Sequence, residues 1–513
     1  MSVMTAVAWI GVMFLAAIVI RWKVRFLGSM LVPSCLIAGI IGFIFMNTTG
    51  LEGTKAADYG LISGQLYTFL FINLGLTLPE KKPGPERLPG AGNPDAGNSA
   101  GKSAHAGDAH SSGGASSAGD AQSSGGLRKR IRRGMLSGIL GMGSFWAMAY
   151  AFQALIGFGI LTVIGGIWHM DRAYGLMIPF GFAQGPGQAV TYGSVIEKAG
   201  WNDAVQVAMM FAAVGFIVAF LLGVPFARKG IRRGIAEAHV ELSDSLIRGF
   251  FEPEKQESYG KVTSYGGNLD VMTLHIALVG LSWILGIQIG KLWGLIPGYF
   301  GQLFSQLLFF NGMLAAYAVR WVLTRMGFTK FMDRGTQVRI TNASTDLMVA
   351  ATFFAIDLNI VGKWVVPILI ICAATACVTW VLIRYFGARF GGSNDFERTL
   401  GEWGTVTGTN ATGLSLVRIA DPDNETTTAA ELGPANIVNV PASYIVAPAI
   451  CAFCAGSMKT GVLLASLLGV IGGYLVFMRI TGVWGKKTYD VRTGWKRDAG
   501  TKDTKEQQGG ETE

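Results

Sequence analysis

Uncharged runs the length of a membrane-spanning helix constrain this chain more than any other feature. They cover 4–20, 27–46, 134–170, 204–227, 292–319, 364–383, 432–458 and 460–478. Crossing ~30 Å of hydrocarbon takes about 20 residues of helix. A soluble chain of 513 residues would not repeat runs of this length, so the sequence specifies an all-α polytopic membrane protein. The first run has no basic residue before it and is followed by Arg21, Lys23 and Arg25. A cleavable signal peptide has the reverse arrangement, so 4–20 reads as a retained helix with its N-terminus outside.

The formal charge of +9 does not make a nucleic-acid surface. Its basic residues cluster at 21–25, 128–133 and 228–233 and recur at Arg320, Arg325, Lys330, Arg334, Arg384 and Arg389, next to apolar runs. That is the pattern that keeps loops on the cytoplasmic side. The five cysteines (Cys35, Cys372, Cys377, Cys451, Cys454) lie in apolar runs at spacings that give no disulfide framework. The pair in CAFC (451–454) reads as packing residues rather than a metal or redox pair.

With 21–25 inside, helix 1 runs inward, helix 2 (27–46) outward, helix 3 (60–79) inward and helix 4 (from 134) outward. Helix 6 (204–227) ends at the basic RKGIRR. If 173–196 crossed the membrane, that cluster would land outside; if the segment dips in and returns, it lands inside. The residues agree with a re-entrant element: FGFAQGPGQAVTYG (180–193) has helix-breaking Gly-Pro-Gly flanked by glutamines. Such backbone is tolerated at membrane depth only where it is buried in protein or lines a cavity. A kinked spanning helix is the alternative.

The second half has helices at 271–290, 292–319, 340–362 and 364–383, then EWGTVTGTNATGLSLVR (402–418). The uncharged core of that stretch, 403–417, would be roughly 22 Å long as a helix, too short to span comfortably, and it reads as a second re-entrant element. Helices at 432–458 and 460–478 follow. Each half therefore holds five transmembrane helices and one re-entrant hairpin (173–198 and 400–420), in opposite orientation, with one extra C-terminal helix and a cytoplasmic C-terminus. The gapless match of TFLFINLGL (68–76) to TFFAIDLNI (352–360) supports this, with Asn73 opposite Asp357. Inverted repeats are a common build of secondary transporters. The units are 1–79, a disordered cytoplasmic insert at 80–133, 134–228, a linker at 229–268 that holds an amphipathic stretch, 269–458, the extra helix 459–480 and a tail at 481–513. The insert is Gly-, Ser- and Ala-rich and too polar to bury a core.

Ionisable groups within spans are functional candidates. Asp346 and Asp357 fall on one face of the helix expected at 340–362. A carboxylate there can face the transport path, or be solvated at a helix end. Na⁺ takes oxygen ligands, and Asn73, Asp357 and Thr405 are the candidates for it, with Thr407 and exposed carbonyls near by. His275 reads as a packing histidine. The hairpin tips are the stronger substrate site: Gln184, Gly185, Gly187 and Gln188 on one wall, Thr407, Thr409, Asn410 and Thr412 on the other. Facing tips present free backbone N–H and C=O groups to an anion and cations together. Arg418 can pair with a substrate carboxylate or snorkel to the surface.

The blocks IPFGFAQGPGQAVTYGSVIEKAGWNDAVQVAMMFAAVGFIVAFLLGVPFARKGIRRG (178–234) and ATFFAIDLNIVGKWVVPILIICAATACVTWVLIRYFG with GTVTGTNATGLSLVRIA (351–420) resemble the sodium/glutamate symporter family. The resemblance covers most of the chain outside 80–126 and the C-terminal end. It implies a multi-pass protein of the inner membrane, a homodimer of two inverted five-helix units whose transport domain moves as an elevator, coupling inward glutamate transport to Na⁺ with no cofactor. The first tip departs from the family's Gly-Gly-His-Gly-Thr-Gly pattern, reading Ala183-Gln184-Gly185-Pro186-Gly187-Gln188. The resemblance therefore implies transport more firmly than glutamate; another carboxylate or amino acid, or H⁺ coupling, stays open. A channel is a further alternative. An intramembrane enzyme is disfavoured, since the chain has no His-Glu-x-x-His, no Gly-x-Gly-Asp and no Ser–Lys pair within a span.

Overall fold

The structure is a computed structural model that describes residues 3–24, 27–28, 32–77, 117–237, 260–422 and 425–497, with 117–133 as backbone only. Among these residues the only sheet is one antiparallel strand pair, β1 (Tyr489–Asp490) and β2 (Trp495–Lys496). The rest of the regular structure is helical. We number the main helices α1 (Val3–Lys23), α2 (Ser34–Thr48), α3 (Ala56–Leu76), α4 (Ser117–Ile164), α5 (Ile178–Phe182), α6 (Pro186–Lys198), α7 (Ala204–Arg232) and α8 (Val271–Gly294). They continue as α9 (Leu308–Arg325), α10 (Arg334–Phe354), α11 (Val365–Gly387), α12 (Asp395–Val406), α13 (Asn410–Ala420), α14 (Thr428–Cys454) and α15 (Thr460–Ile480).

Among the described residues, seven helices are long and apolar enough to cross a membrane: α1, Gly134–Trp168, α7, α8, Leu358–Gly387, α14 and α15. This fits the all-α polytopic expectation. The remaining long helices are polar for a reason visible in the packing. α3 and α10 lie against each other, and their polar groups satisfy one another. Asn73 donates to the Gln337 carbonyl at 2.7 Å and to Thr341 at 2.9 Å, and the Ser63 and Thr352 hydroxyls meet at 3.3 Å.

The helices sort into two groups. In the first, α1 packs on α2 and α8 on α9; α2 packs on α10 and α9 on α3; α3 and α10 face each other. Swapping α1, α2 and α3 for α8, α9 and α10 leaves this pattern unchanged. A small apolar core of its own (Ile72, Leu76, Leu278, Val279, Ala316, Val319, Met332) lies in this group. In the second group α4 is the central strut, with α11, α14 and α15 against it, while α7 packs along both hairpins. α4 and α14 approach closely because Gly143 leaves room: a β carbon there would sit 2.3 Å from the Ala435 carbonyl oxygen.

Several expected boundaries move. α4 begins at Ser117, so helix extends into the segment 80–133 expected to be an insert without structure; the stretch 78–116 lies outside the described residues. The amphipathic stretch of the 229–268 linker also lies largely outside them. The run 292–319 is not one helix: α8 ends at Gly294, a short helix spans Tyr299–Gln306, and α9 starts at Leu308, because Pro297 and Gly298 (φ 100°) break it. The helix expected at 340–362 stops at Phe354, and Asp357 instead caps the short helix Leu358–Val361 by accepting from Asn359 N at 2.9 Å. The alignment of 68–76 on 352–360 therefore pairs a stretch within one helix with a stretch that runs past the end of another. His275 is buried in packing, with Nδ1 2.7 Å from the Val271 carbonyl and Nε2 accepting from Asp333 N at 3.1 Å.

Candidate substrate site at two hairpin tips

Both breaker-rich stretches fold as helical hairpins. In the first, Asp171 accepts from Ala173 N at 2.8 Å and starts a short helix, Arg172–Gly175; α5 follows, the chain turns through Ala183–Gly185, and α6 returns. Gly185 has φ 81° and ψ −178°, a region open essentially to glycine alone. Pro186 then opens α6, where its missing N–H costs nothing. In the second hairpin, α12 and α13 are joined by Thr407–Thr409. The arms nearly touch at Gly404 and Gly413, where a β carbon on Gly404 would lie 2.7 Å from the Gly413 Cα. Thr409 caps α13, its hydroxyl accepting from Thr412 N at 3.3 Å.

The two tips meet. A β carbon on Gly185 would fall 2.4 Å from Thr409 Cγ2 and 3.1 Å from the Gly408 carbonyl oxygen. The N-termini of α6 and α13 therefore converge on one locus, and no side chain caps the first of them. Helix N-termini carry partial positive charge and unpaired N–H groups, which suit an anion. Gln184, Thr409 and Asn410 are partly exposed here, while Gly185, Gly187, Gln188, Thr407 and Thr412 are buried behind them.

α4 holds both hairpins from behind with three side chains spaced i, i+4 and i+7, hence on one face. Trp146 Nε1 donates to the Ala183 carbonyl at 3.1 Å, the Tyr150 hydroxyl to Gln188 Oε1 at 2.9 Å, and Gln153 Nε2 to the Val406 carbonyl at 3.0 Å. The chain continues through Gln188 Nε2 to Gln184 Oε1 (3.2 Å), and Gln184 Nε2 to Ser443 Oγ on α14 (3.3 Å), which also accepts from Asn439 Nδ2 (3.1 Å). Trp146, Tyr150, Gln153, Asn439 and Ser443 were not among the sequence candidates. Gln153 is the one amide side chain of 134–164, which was the available signal.

The other candidates are placed differently. Gly187 packs against the first helix group, since a β carbon there would lie 1.7 Å from Tyr67 Cγ. Arg418 sits eight residues beyond Asn410 on α13, about 12 Å along the helix, and is exposed rather than turned to the tips. Asn73, Asp357 and Thr405 do not form one cation site. Asn73 bonds to α10, Asp357 caps its short helix, and the Thr405 hydroxyl donates to the Gly401 carbonyl at 2.8 Å with Asn410 Oδ1 at 3.4 Å.

The base of the second hairpin is held by buried charge. Arg398 is 1% exposed and bonds Glu431 through Nε and Nη2, both at 2.7 Å, Asp395 at 2.9 Å and the Gly134 carbonyl at 2.8 Å. The tail segment carrying the strands joins it: the Thr488 hydroxyl donates to Asp395 at 2.8 Å and the Tyr489 hydroxyl to Thr399 at 2.7 Å. Burial pushes the Tyr489 phenol above its ordinary range, so it stays protonated and donates.

Residues 135–394, from within α4 to the last residue before α12, match the sodium/glutamate symporter family. The chain belongs to the sodium/glutamate symporter family. That stretch contains the first hairpin and the strut that holds it; the second hairpin lies just past its end. No curated protein and no solved structure matches the chain. Membership makes it a transporter of the membrane rather than an enzyme.

Proposed function

We propose that this protein is a Na⁺-coupled symporter of glutamate or a closely related carboxylate, with the substrate held where the two hairpin tips meet. The observation that carries this reading is the convergence of the α6 and α13 N-termini across Gly185 and Thr409. An anionic substrate is bound there by backbone N–H groups and helix dipoles, with the amides of Gln184 and Asn410 and the Thr409 hydroxyl giving direction. Arg418 is too far along α13 to share that site. Na⁺ enters with the substrate and balances its charge at the carbonyl-rich ends of the first arms.

The two helix groups supply the motion. α4–α7 and α11–α15 carry both tips, and α1–α3 with α8–α10 form the frame against which they slide as an elevator. The frame meets the first hairpin where a glycine on one side leaves room for the other, Gly64 of α3 facing Val190 and Gly187 facing the Tyr67 ring. In this reading the N-terminus is outside, the C-terminus is cytoplasmic, the membrane is the inner membrane, and the protein works as a homodimer.

The test is uptake of radiolabelled glutamate into proteoliposomes with and without an inward Na⁺ gradient, competed by amino acids and dicarboxylates. Concentrative, Na⁺-dependent uptake is expected. Saturable Na⁺-driven uptake of a different competitor reassigns the substrate. Non-saturating flux with no Na⁺ dependence defeats the symporter reading.

A further inference from the structure

One buried acid takes no part in the site described above. Glu402 lies in the middle of α12, with none of its surface exposed. Among the described residues neither of its carboxylate oxygens has a hydrogen-bond partner. It stands four residues from Arg398 and four from Val406, which bond α4 through the Gly134 carbonyl and Gln153. Gln153 Nε2, which bonds the Val406 carbonyl, also lies 3.5 Å from Thr379 Oγ1 of α11. An ionised carboxylate without a partner in such surroundings is strongly disfavoured, and intramembrane acids of this kind mark ion paths.

Most of the charged and titratable groups on the surrounding elements have partners of their own. On its own arm Arg398 is bound by Asp395 and Glu431 of α14, and Glu397 accepts from Glu237 N at 2.7 Å. Tyr150 of α4 donates to Gln188, and Arg384 of α11 stacks over Phe226 and Trp380. Arg228 of α7 stands near the basic end of that helix, and Arg418 of α13 is exposed.

We propose that Glu402 is an exchangeable proton-binding site carried by the second hairpin, so that a proton is a coupling ion beside Na⁺. The proposal rests on the symporter reading for its coupling part only. A proton neutralises the carboxylate on its own, whereas a metal ion takes a shell of oxygens; among the described residues no group of three or more His, Cys, Asp or Glu is placed to hold a metal. Glu402 lies in the same arm as the tip, so its proton travels with the substrate. It binds where the tip faces one side and leaves where it faces the other, as carboxylate plus H⁺ giving the carboxylic acid and back.

Two measurements decide this on the full chain. The first is infrared difference spectroscopy of the purified protein, wild type against Glu402→Gln, in H₂O and D₂O. A protonated-carboxyl band that shifts in D₂O and is missing from the variant is expected. No such band, or the same band in both proteins, overturns the proposal whether or not anything is transported. The second is pyranine fluorescence inside proteoliposomes during Na⁺-driven glutamate uptake. Internal acidification with each substrate pulse in the wild type, absent per substrate imported in Glu402→Gln, is expected. Wild-type uptake without acidification, or equal acidification in the variant, overturns the coupling. An exchangeable band with no glutamate uptake supports the proton site and counts against the glutamate reading alone.

Discussion

Two glycines at the tips are required for different reasons. Gly185 adopts a backbone conformation that costs a side-chain-bearing residue about 1–3 kcal/mol, and it abuts Thr409 besides. Gly185→Ala is expected to lower thermal stability by that amount and to weaken apparent substrate affinity, read by a melting shift in detergent with and without substrate. Gly187 is needed because the Tyr67 ring fills the space of a β carbon. Gly187→Ala should cut uptake by about tenfold or more, equivalent to ~1.4 kcal/mol. Adding Tyr67→Ala should return part of it. A double variant as inactive as the single one would place the requirement within the hairpin itself. Gly-Pro-Gly between glutamines announced a break in sequence, but the ring it packs against came from a helix 120 residues earlier in the chain.

The second hairpin is held at both ends, and each hold has its own signature. At the tip end, Gln153→Leu leaves the buried Val406 carbonyl without its donor, at a cost of about 1–3 kcal/mol. The expected outcome is a raised KM for substrate with membrane insertion intact; an unchanged KM would separate the α4 strut from the site. At the base, Arg398→Met leaves Asp395 and Glu431 buried with their shared cation gone, about 3–5 kcal/mol of destabilisation. The checks are yield and melting temperature, and unaltered stability would show that water reaches this cluster. Composition made α12 and α13 legible as a short, glycine- and threonine-rich element. It gave no sign that α4 and the tail at 488–489 close on it, because those partners lie 90 to 264 residues away in sequence.

At the scale of the molecule, sliding of one helix group past the other is the claim to test. A β carbon on Gly64 would lie 3.6 Å from Val190 Cβ, within disulfide reach. Gly64→Cys with Val190→Cys, in a background where the exposed Cys377 is Ser, should lose uptake on oxidation and regain it with reductant. Full uptake with the crosslink formed would mean that α3 and the first hairpin keep their contact through the cycle. Most of the long apolar helices among the described residues were plain from hydropathy. The polar α3 and α10 were harder to read, since their Asn, Ser and Thr suit a membrane only when the two helices face each other.

What the sequence determined by itself was set by local chemistry and by the solvent. Runs of apolar residues must become helices in a bilayer, because no water is there to satisfy the backbone, and glycine with proline must break them. The all-α membrane class, the two interrupted segments and the family resemblance followed from that. The tertiary structure alone decided which tip touches which, that Asp357 caps a turn while Asn73 serves a helix pair, that Arg418 stands away from the tips, and that Glu402 is sealed without a partner. These depend on contacts between residues far apart in the chain, where a side chain's role is fixed by what packs against it and not by its own identity or spacing.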